Sequence, residues 1–209
     1  MLRSGYLLAA DVAAALLRNP SVASRWSQPS ALADFQVSGL AGHLGRAVTQ
    51  VERIVLDPPS TAPPIAVLEH FTRSEWTRTG RDDVVHVAVR ERGEQTAAGG
   101  PEGLAQAVDA ALGRLRGLLA EEPDDRIIEL TGQWALRLDD FLLTRTLEIV
   151  VHVDDLAVSV GLPTPEIAEA ATEPVIDLLA RLSVRRHGPL ALVRTLSRRE
   201  RAPETVAAF

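Results

Sequence analysis

The sequence predicts an all-α protein built as a helix bundle, and three observations support this fold class. Apolar residues recur at helical spacing along most of the 209-residue chain, as they do on helices that bury one face. Glycine and proline separate these amphipathic segments and mark where helices begin and end. The connections between segments are short, which is typical of helices that pack beside one another in a bundle.

The first half of the chain contains two predicted long helices, followed by shorter ones. The first has apolar residues at helical spacing from Tyr6 to Leu17 with Ser4 as its N-cap, and the second begins at Ser38, which is predicted to cap it. The proline-rich stretch 57–64 breaks the helical pattern. The pattern of residues 65–98 then predicts two shorter helices.

The second half begins with a strong helical pattern over residues 99–123, with proline near its start and after its end. Residues 126–138 alternate weakly, which favours a short hairpin or an extended crossing segment. A long apolar helix is predicted over residues 139–160, where the sequence GLP ends it. Two further helices are predicted over residues 164–186 and 188–200.

The composition excludes several classes of protein. The formal net charge of −6 argues against a nucleic-acid partner and offers no basic surface for an anionic membrane. No apolar run approaches the roughly 20 residues of a spanning helix, and Asp11 interrupts the apolar N-terminal segment, so we expect a cytoplasmic protein. The sequence contains no cysteine and no lysine, which excludes disulfides, thiolate ligands and a Schiff-base lysine. Any metal ion must be bound by His, Asp or Glu.

A candidate site lies in the segment RTLEIVVHVDDLA, residues 145–157. Glu148 and His152 are four residues apart, so their side chains project from one face of a helix that is apolar nearly all round. A buried carboxylate is costly unless it is paired or bound to a metal. A third candidate ligand, His43, lies on the second long helix among glycines that leave room for a close neighbour or a ligand: Gly39, Gly42 and Gly45. If the two helices are neighbours, the three side chains form a two-histidine, one-carboxylate set with open metal positions.

Plainer interpretations of the same residues stay open. Glu148 with its histidine is a common hydrogen-bonded polar pair, and Arg145, three residues earlier, can neutralise the carboxylate. His43 alone fits a half-exposed helix position. Asp155 is a candidate acceptor for the second N–H of a ligating histidine. Arg145 and Arg137 are candidates to hold a substrate carboxylate, although a partnership between Arg145 and Glu148 is the simpler interpretation.

Two segments resemble a known family. SGLAGHLGRAV and, much later, RTLEIVVHVDDLAVSVGLP are similar to the histidine-bearing segments of the mycothiol-dependent maleylpyruvate isomerase family, within the DinB-like superfamily. The resemblance covers roughly residues 5–160. It implies a DinB-like four-helix bundle in which His43, Glu148 and His152 bind a divalent metal, usually zinc. It also implies mycothiol as cosubstrate, a thiol that ionises at the metal and attacks an electrophilic carbon.

The function expected from this resemblance is that of a metal-dependent enzyme, an S-transferase or isomerase acting with a mycothiol-type thiol on a small electrophile. A non-catalytic metal-binding bundle with a regulatory or interaction role is the first alternative, and a metal-dependent hydrolase is the second.

Longer members of the family carry a C-terminal α/β domain, whereas the residues after 160 here predict helices. We therefore divide the chain into a metal-binding bundle, residues 1–162, and a helical extension packed on it, residues 163–209. A homodimer is compatible with the sequence.

The remaining polar and aromatic residues carry weaker signals. His70 and His86 have no partner at ligand spacing and are predicted to be structural or surface residues. Trp76 and Trp134 are predicted to be packing residues, either of which can line a cleft. The arginine-rich tail is predicted to be a helix with a solvated basic face and four apolar residues packed inward: Leu190, Leu192, Val193 and Leu196.

Overall fold

A computed structural model describes residues 1–74, 83–130 and 134–209 of the chain, and it confirms the all-α fold. Trp76 lies outside the described residues. The elements in chain order are α1 (Leu2–Leu17), α2 (Pro20–Ser24), α3 (Val37–Leu56), α4 (Val67–Arg73), α5 (Val84–Thr96), α6 (Gly100–Glu121), β1 (Ile127–Leu130), β2 (Trp134–Arg137), α7 (Leu138–Ser159), α8 (Glu169–His187) and α9 (Pro189–Ser197).

Four long helices, α1, α3, α6 and α7, form the bundle, and contacts at their ends fix their directions. Arg3, at the start of α1, donates to Asp139 at the start of α7 (2.9 Å) and to the carbonyl oxygen of Leu119 near the end of α6 (3.0 Å). Arg126, just before the hairpin that leads into α7, donates to the carbonyl oxygen of Val55 at the end of α3 (3.2 Å). α1 and α7 therefore run in one direction, and α3 and α6 run in the other.

The core lies between these four helices, where their apolar stripes meet. Its largest fully buried side chains include Tyr6, Leu40, Leu44, Leu115, Leu142 and Leu156. Each Å² of apolar surface removed from water stabilises the fold by about 25 cal/mol. The buried Tyr6 hydroxyl keeps a hydrogen-bond partner, because it donates to the carbonyl oxygen of Ala47 at 3.1 Å.

The glycines of α3 allow two other helices to approach it closely. A Cβ atom at Gly39 would overlap the carboxylate of Glu94, and one at Gly42 would overlap the carbonyl oxygen of Gly93, both on α5. A Cβ at Gly45 would press against Leu104 of α6, at 2.8 Å. From the sequence, the room beside His43 could hold either a close neighbour or a ligand. Neighbouring helices fill it.

The structure corrects the two predicted helix caps. α1 begins at Leu2 with Met1 as its N-cap, and α3 begins at Val37, so Ser4 and Ser38 lie inside their helices. The first N–H groups of α3 need no side-chain cap, because loop carbonyl oxygens accept hydrogen bonds from Val37 and Ser38 (2.9 Å each). The Ser38 hydroxyl donates to the carboxylate of Glu94 instead, at 3.0 Å.

The elements around α7 follow the prediction closely. β1 and β2 pair in antiparallel fashion, which confirms the hairpin as the right choice for this segment. α7 ends at Ser159, and Gly161 takes a positive φ of 68° where the sequence GLP predicted the stop. α8 begins at Glu169, later than predicted, since residues 164–168 form no helix. The boundary placed at residue 162 stays a prediction.

The predicted packing of α9 is wrong. No residue of α9 is buried, and Leu190, Val193 and Leu196 expose 57%, 57% and 78% of their surface. The helix is only nine residues long and follows Gly188, whose φ of 83° turns the chain onto α8. Among the described residues, no helix is both long enough and apolar enough to cross a membrane.

Candidate metal centre

Three polar side chains meet between α3 and α7 and form one cluster. His43 Nε2 lies 3.0 Å from Glu148 Oε2, and His152 Nε2 lies 3.2 Å from the same oxygen. The two imidazole rings stand edge to face with centroids 4.7 Å apart. Candidate ligand atoms of the three residues all lie within 4.8 Å of one another. The structure thus brings together the three residues that the sequence selected.

The helices position these side chains in a simple way. Glu148 and His152 are one turn apart on α7, so both face the same side. His43 lies in the first half of α3, which packs directly against α7. Because α5 and α6 press against the glycine positions of α3, that helix is fixed on two further sides. The cluster is therefore held by the core of the bundle rather than by a loop.

The electrostatics of the cluster favour an ionised carboxylate. Burial raises the pKa of Glu148, but hydrogen bonds from His152 and His43 and the charge of Arg145 outweigh it and hold the pKa well below its usual range. Burial lowers the pKa of His152, but hydrogen bonds to Asp155 and Glu148 prevail and raise it to about 9. The chain by itself therefore holds a proton on His152 that a metal ion must displace.

Asp155 is the hydrogen-bond acceptor that the sequence predicted. Its Oδ2 lies 2.9 Å from His152 Nδ1, one turn further along α7. A carboxylate on Nδ1 fixes the orientation of the ring and leaves Nε2 as the nitrogen directed at the cluster. This arrangement is typical of histidines that bind metal ions through Nε2.

The donor set and its exposure fit a divalent metal ion. Two imidazole nitrogens and one carboxylate oxygen are ligands that zinc and related transition metals accept. The side chains of His43, Glu148 and His152 keep 17%, 16% and 18% of their surface exposed. A structural zinc site normally has four protein ligands and is closed, whereas three protein ligands at a cluster that keeps some exposed surface leave room for a further ligand.

Arg145 lies against the cluster and Arg137 does not. The Arg145 guanidinium is 3.7 Å from Glu148 Oε1, donates to the Thr144 hydroxyl at 3.1 Å and lies over the ring of Phe141 at 5.5 Å. It is thus a partner of Glu148, as the simpler interpretation held. Arg137 is exposed and lies about three helical turns before Glu148, so the structure does not bring it to the site.

His70, predicted to be a structural or surface residue, lies near the site. It lies on α4, and its Nδ1 accepts a hydrogen bond from Trp134 Nε1 at 3.0 Å. Burial and the charge of Arg145 lower its pKa to about 4, although Glu148 acts in the opposite direction. The imidazole is therefore neutral at neutral pH, with its proton on Nε2. Its isolated position on a short helix gave no periodic signal that could have found it.

Fold and site together define a class of protein, the all-α bundles of DinB-like type with a two-histidine, one-carboxylate cluster. The family model described as the mycothiol maleylpyruvate isomerase N-terminal domain matches residues 6–157, and the chain belongs to this family. The match contains the whole cluster and ends within α7. No curated protein and no solved structure matches the chain.

Proposed function

We propose that the protein is a metal-dependent enzyme that uses a low-molecular-weight thiol of the mycothiol type in S-transfer to a small electrophile or in its cis–trans isomerisation. The observation that carries the proposal is the convergence of His43, Glu148 and His152 at one partly buried cluster that keeps some exposed surface. Membership of the mycothiol-related family supports the choice of thiol. The absence of cysteine from the sequence means that any thiol must come from another molecule.

Each residue of the cluster has a proposed role. His43, Glu148 and His152 would hold a divalent ion, with zinc expected from the two nitrogen donors and one carboxylate. When bound, such an ion lowers the pKa of a coordinated thiol and so favours a nucleophile at neutral pH. Asp155 orients His152, and Arg145 holds the free oxygen of Glu148 in place. In S-transfer the sulfur forms a bond to the electrophilic carbon, and a leaving group departs from that carbon with its bonding electrons. In isomerisation the thiol adds to a carbon–carbon double bond, the resulting single bond rotates, and elimination of the thiol restores the double bond.

The non-catalytic alternative also has an observation in its favour. Glu148 already has hydrogen bonds from two histidines and an ion pair with Arg145, so the cluster is electrostatically satisfied by the chain alone. A binding or regulatory bundle needs no more than this. A hydrolase would use the same cluster with water in place of the thiol. The homodimer stays a prediction.

Metal analysis of protein purified without added metal tests the proposed site. We expect about one divalent ion per chain, loss of that ion in His152→Ala, and normal content in His187→Ala, whose histidine lies at the end of α8 outside the cluster. Wild-type protein with no metal, or metal content unchanged by His152→Ala, would contradict the site.

A second measurement separates the functions. Mycothiol is added to the metal-loaded protein, and conjugation to a bimane electrophile is followed together with the melting temperature. Thiol-dependent turnover that is lost in His152→Ala supports the enzyme. No turnover and no thermal shift on adding the thiol would favour the binding bundle or the hydrolase.

A further inference from the structure

One half-buried arginine next to the cluster has no acceptor. Arg46 lies on α3, one turn after His43, and among the residues that the structure describes nothing forms a hydrogen bond or ion pair with its side chain. Three other arginines that are buried or partly buried differ. Arg3, Arg126 and Arg145 each donate to carboxylate, carbonyl or hydroxyl oxygens. A guanidinium carries five N–H donors, and leaving them unpaired while partly removed from water is unfavourable.

The surroundings of Arg46 are positively charged. Burial lowers its pKa, and the charges of Arg92, Arg145 and Arg53 lower it further. Arg53 and Arg92 are exposed, whereas Arg145 is partly buried at the cluster. Arginines gathered in this way repel one another and raise the local concentration of anions. An anion with two oxygens would relieve both the repulsion and the missing hydrogen bonds.

The direction of the helices places Arg46 beside Arg145. α3 and α7 run in opposite directions and meet at His43 and Glu148, whose side chains are 3.0 Å apart. The residue one turn after His43 on α3 is therefore level with the residue one turn before Glu148 on α7. These residues are Arg46 and Arg145. Arg145 uses only some of its donors on Glu148 and Thr144, so it can contribute to a shared site.

We propose that Arg46 and Arg145 form an anion-binding subsite beside the metal cluster, which holds a carboxylate or phosphate group of the small molecule that reacts there. The identity of that molecule as the electrophile rests on the proposed function, whereas the subsite itself rests on the unpaired guanidinium. Arg46 is a binding residue in this proposal. The planar fork of its guanidinium matches both oxygens of a carboxylate or two oxygens of a phosphate.

The test is a titration with malonate and, separately, with inorganic phosphate, followed by calorimetry at low ionic strength. Wild type is compared with Arg46→Gln, Arg46→Lys and Arg194→Gln, the last of which makes the same charge change at an exposed position of α9. Each protein is measured as purified and after treatment with EDTA, because either anion can also bind directly to a metal ion.

We expect saturable binding to wild type before and after EDTA, at least about tenfold weaker in Arg46→Gln and unchanged in Arg194→Gln. Arg46→Lys keeps the charge but not the fork of N–H donors, so its affinity for the anion should lie between those of wild type and Arg46→Gln. Preference for malonate identifies a carboxylate ligand, and preference for phosphate identifies a phosphate ligand.

Three results would overturn the subsite: no saturable binding, equal loss of affinity in Arg46→Gln and Arg194→Gln, or binding that is abolished by EDTA and unaffected by Arg46→Gln. Failure of the proposed function looks different. If metal and thiol turnover are both absent but EDTA-treated wild type still binds the anion through Arg46, the subsite stands and the thiol enzyme does not.

Discussion

At the scale of single residues, Asp155 determines which nitrogen of His152 faces the candidate metal site. Its carboxylate is 2.9 Å from Nδ1, so the proton of the neutral ring is held on that side and Nε2 is left for the ion. Carboxylates in this position commonly contribute a factor of about 10–100 to metal affinity. We therefore expect Asp155→Asn to weaken zinc binding by about that factor, measured by competition with a chromogenic chelator.

The neighbouring residue supplies a matched control for this prediction. Asp154 is exposed and accepts a hydrogen bond from Thr164, away from the cluster. Asp154→Asn makes the same chemical change one position earlier on α7 and should leave zinc affinity unaltered. Equal effects of the two substitutions would mean that Asp155 acts only through the net charge of the helix.

Residue-level prediction succeeded where local spacing carries the information. Glu148 and His152 are one turn apart on an apolar helix, and that pattern was enough to select them. His43 was a candidate from its place among the glycines of the second long helix, and the resemblance to a family linked it to Glu148, which lies 105 residues further along the chain. Two other features depend on how separate elements are placed, which spacing along one helix does not encode. These are the pairing of His70 on α4 with Trp134 on β2 and the lack of an acceptor at Arg46 on α3.

At the scale of helices, the contact between α3 and α5 depends on a missing side chain. A Cβ at Gly42 would overlap the carbonyl oxygen of Gly93, and backbone cannot move aside as a flexible side chain does. We expect Gly42→Ala to lower the free energy of unfolding by about 1–3 kcal/mol, the usual cost of overpacking, as measured by urea denaturation.

Gly113 provides the control for the Gly42 substitution. It lies inside α6, and a Cβ built there meets nothing within 4 Å. Gly113→Ala should therefore be stabilising by up to about 1 kcal/mol, through helix propensity alone. A Gly42→Ala protein as stable as wild type would show that α5 does not press on α3 in the way described.

The elements were predicted well from periodicity, and the errors have physical causes. The predicted cap at Ser4 was wrong because α1 begins one turn earlier. The predicted cap at Ser38 was wrong because loop carbonyl oxygens accept hydrogen bonds from the first N–H groups of α3. The spacing of apolar residues along a helix shows neither feature. The prediction that α9 packs its apolar residues inward was wrong. An apolar face shows what a helix is able to bury, but it does not show that another element covers that face. α9 has such a face and leaves Leu196 exposed.

At the scale of the whole molecule, His70 makes stability depend on pH. Burial and Arg145 lower its pKa from 6.5 to about 4, so between these values the unfolded chain binds more protons than the folded one. Stability should therefore rise with pH across this window, and the contribution of His70 is lost as pH falls from about 6.5 towards about 4.

Urea denaturation at several pH values between 4 and 7 measures this dependence. His70→Gln keeps a polar side chain of similar length but cannot titrate, so its stability should change less with pH in this range than that of wild type. His187→Gln, with the same substitution at the end of α8, should follow wild type. Identical slopes for wild type and His70→Gln would contradict the neutral state assigned to His70.

The separation of the three candidate ligands along the chain would affect how the protein acquires the proposed ion. Glu148 and His152 are available as soon as α7 forms, whereas His43 arrives only when segments 105 residues apart have met. A partly folded chain in which only α7 has formed therefore offers two ligand atoms on one helix, and the folded chain offers three. If the proposed ion binds, weak capture by α7 alone would be followed by tighter retention once α3 docks, and the ion would then stabilise this long-range contact.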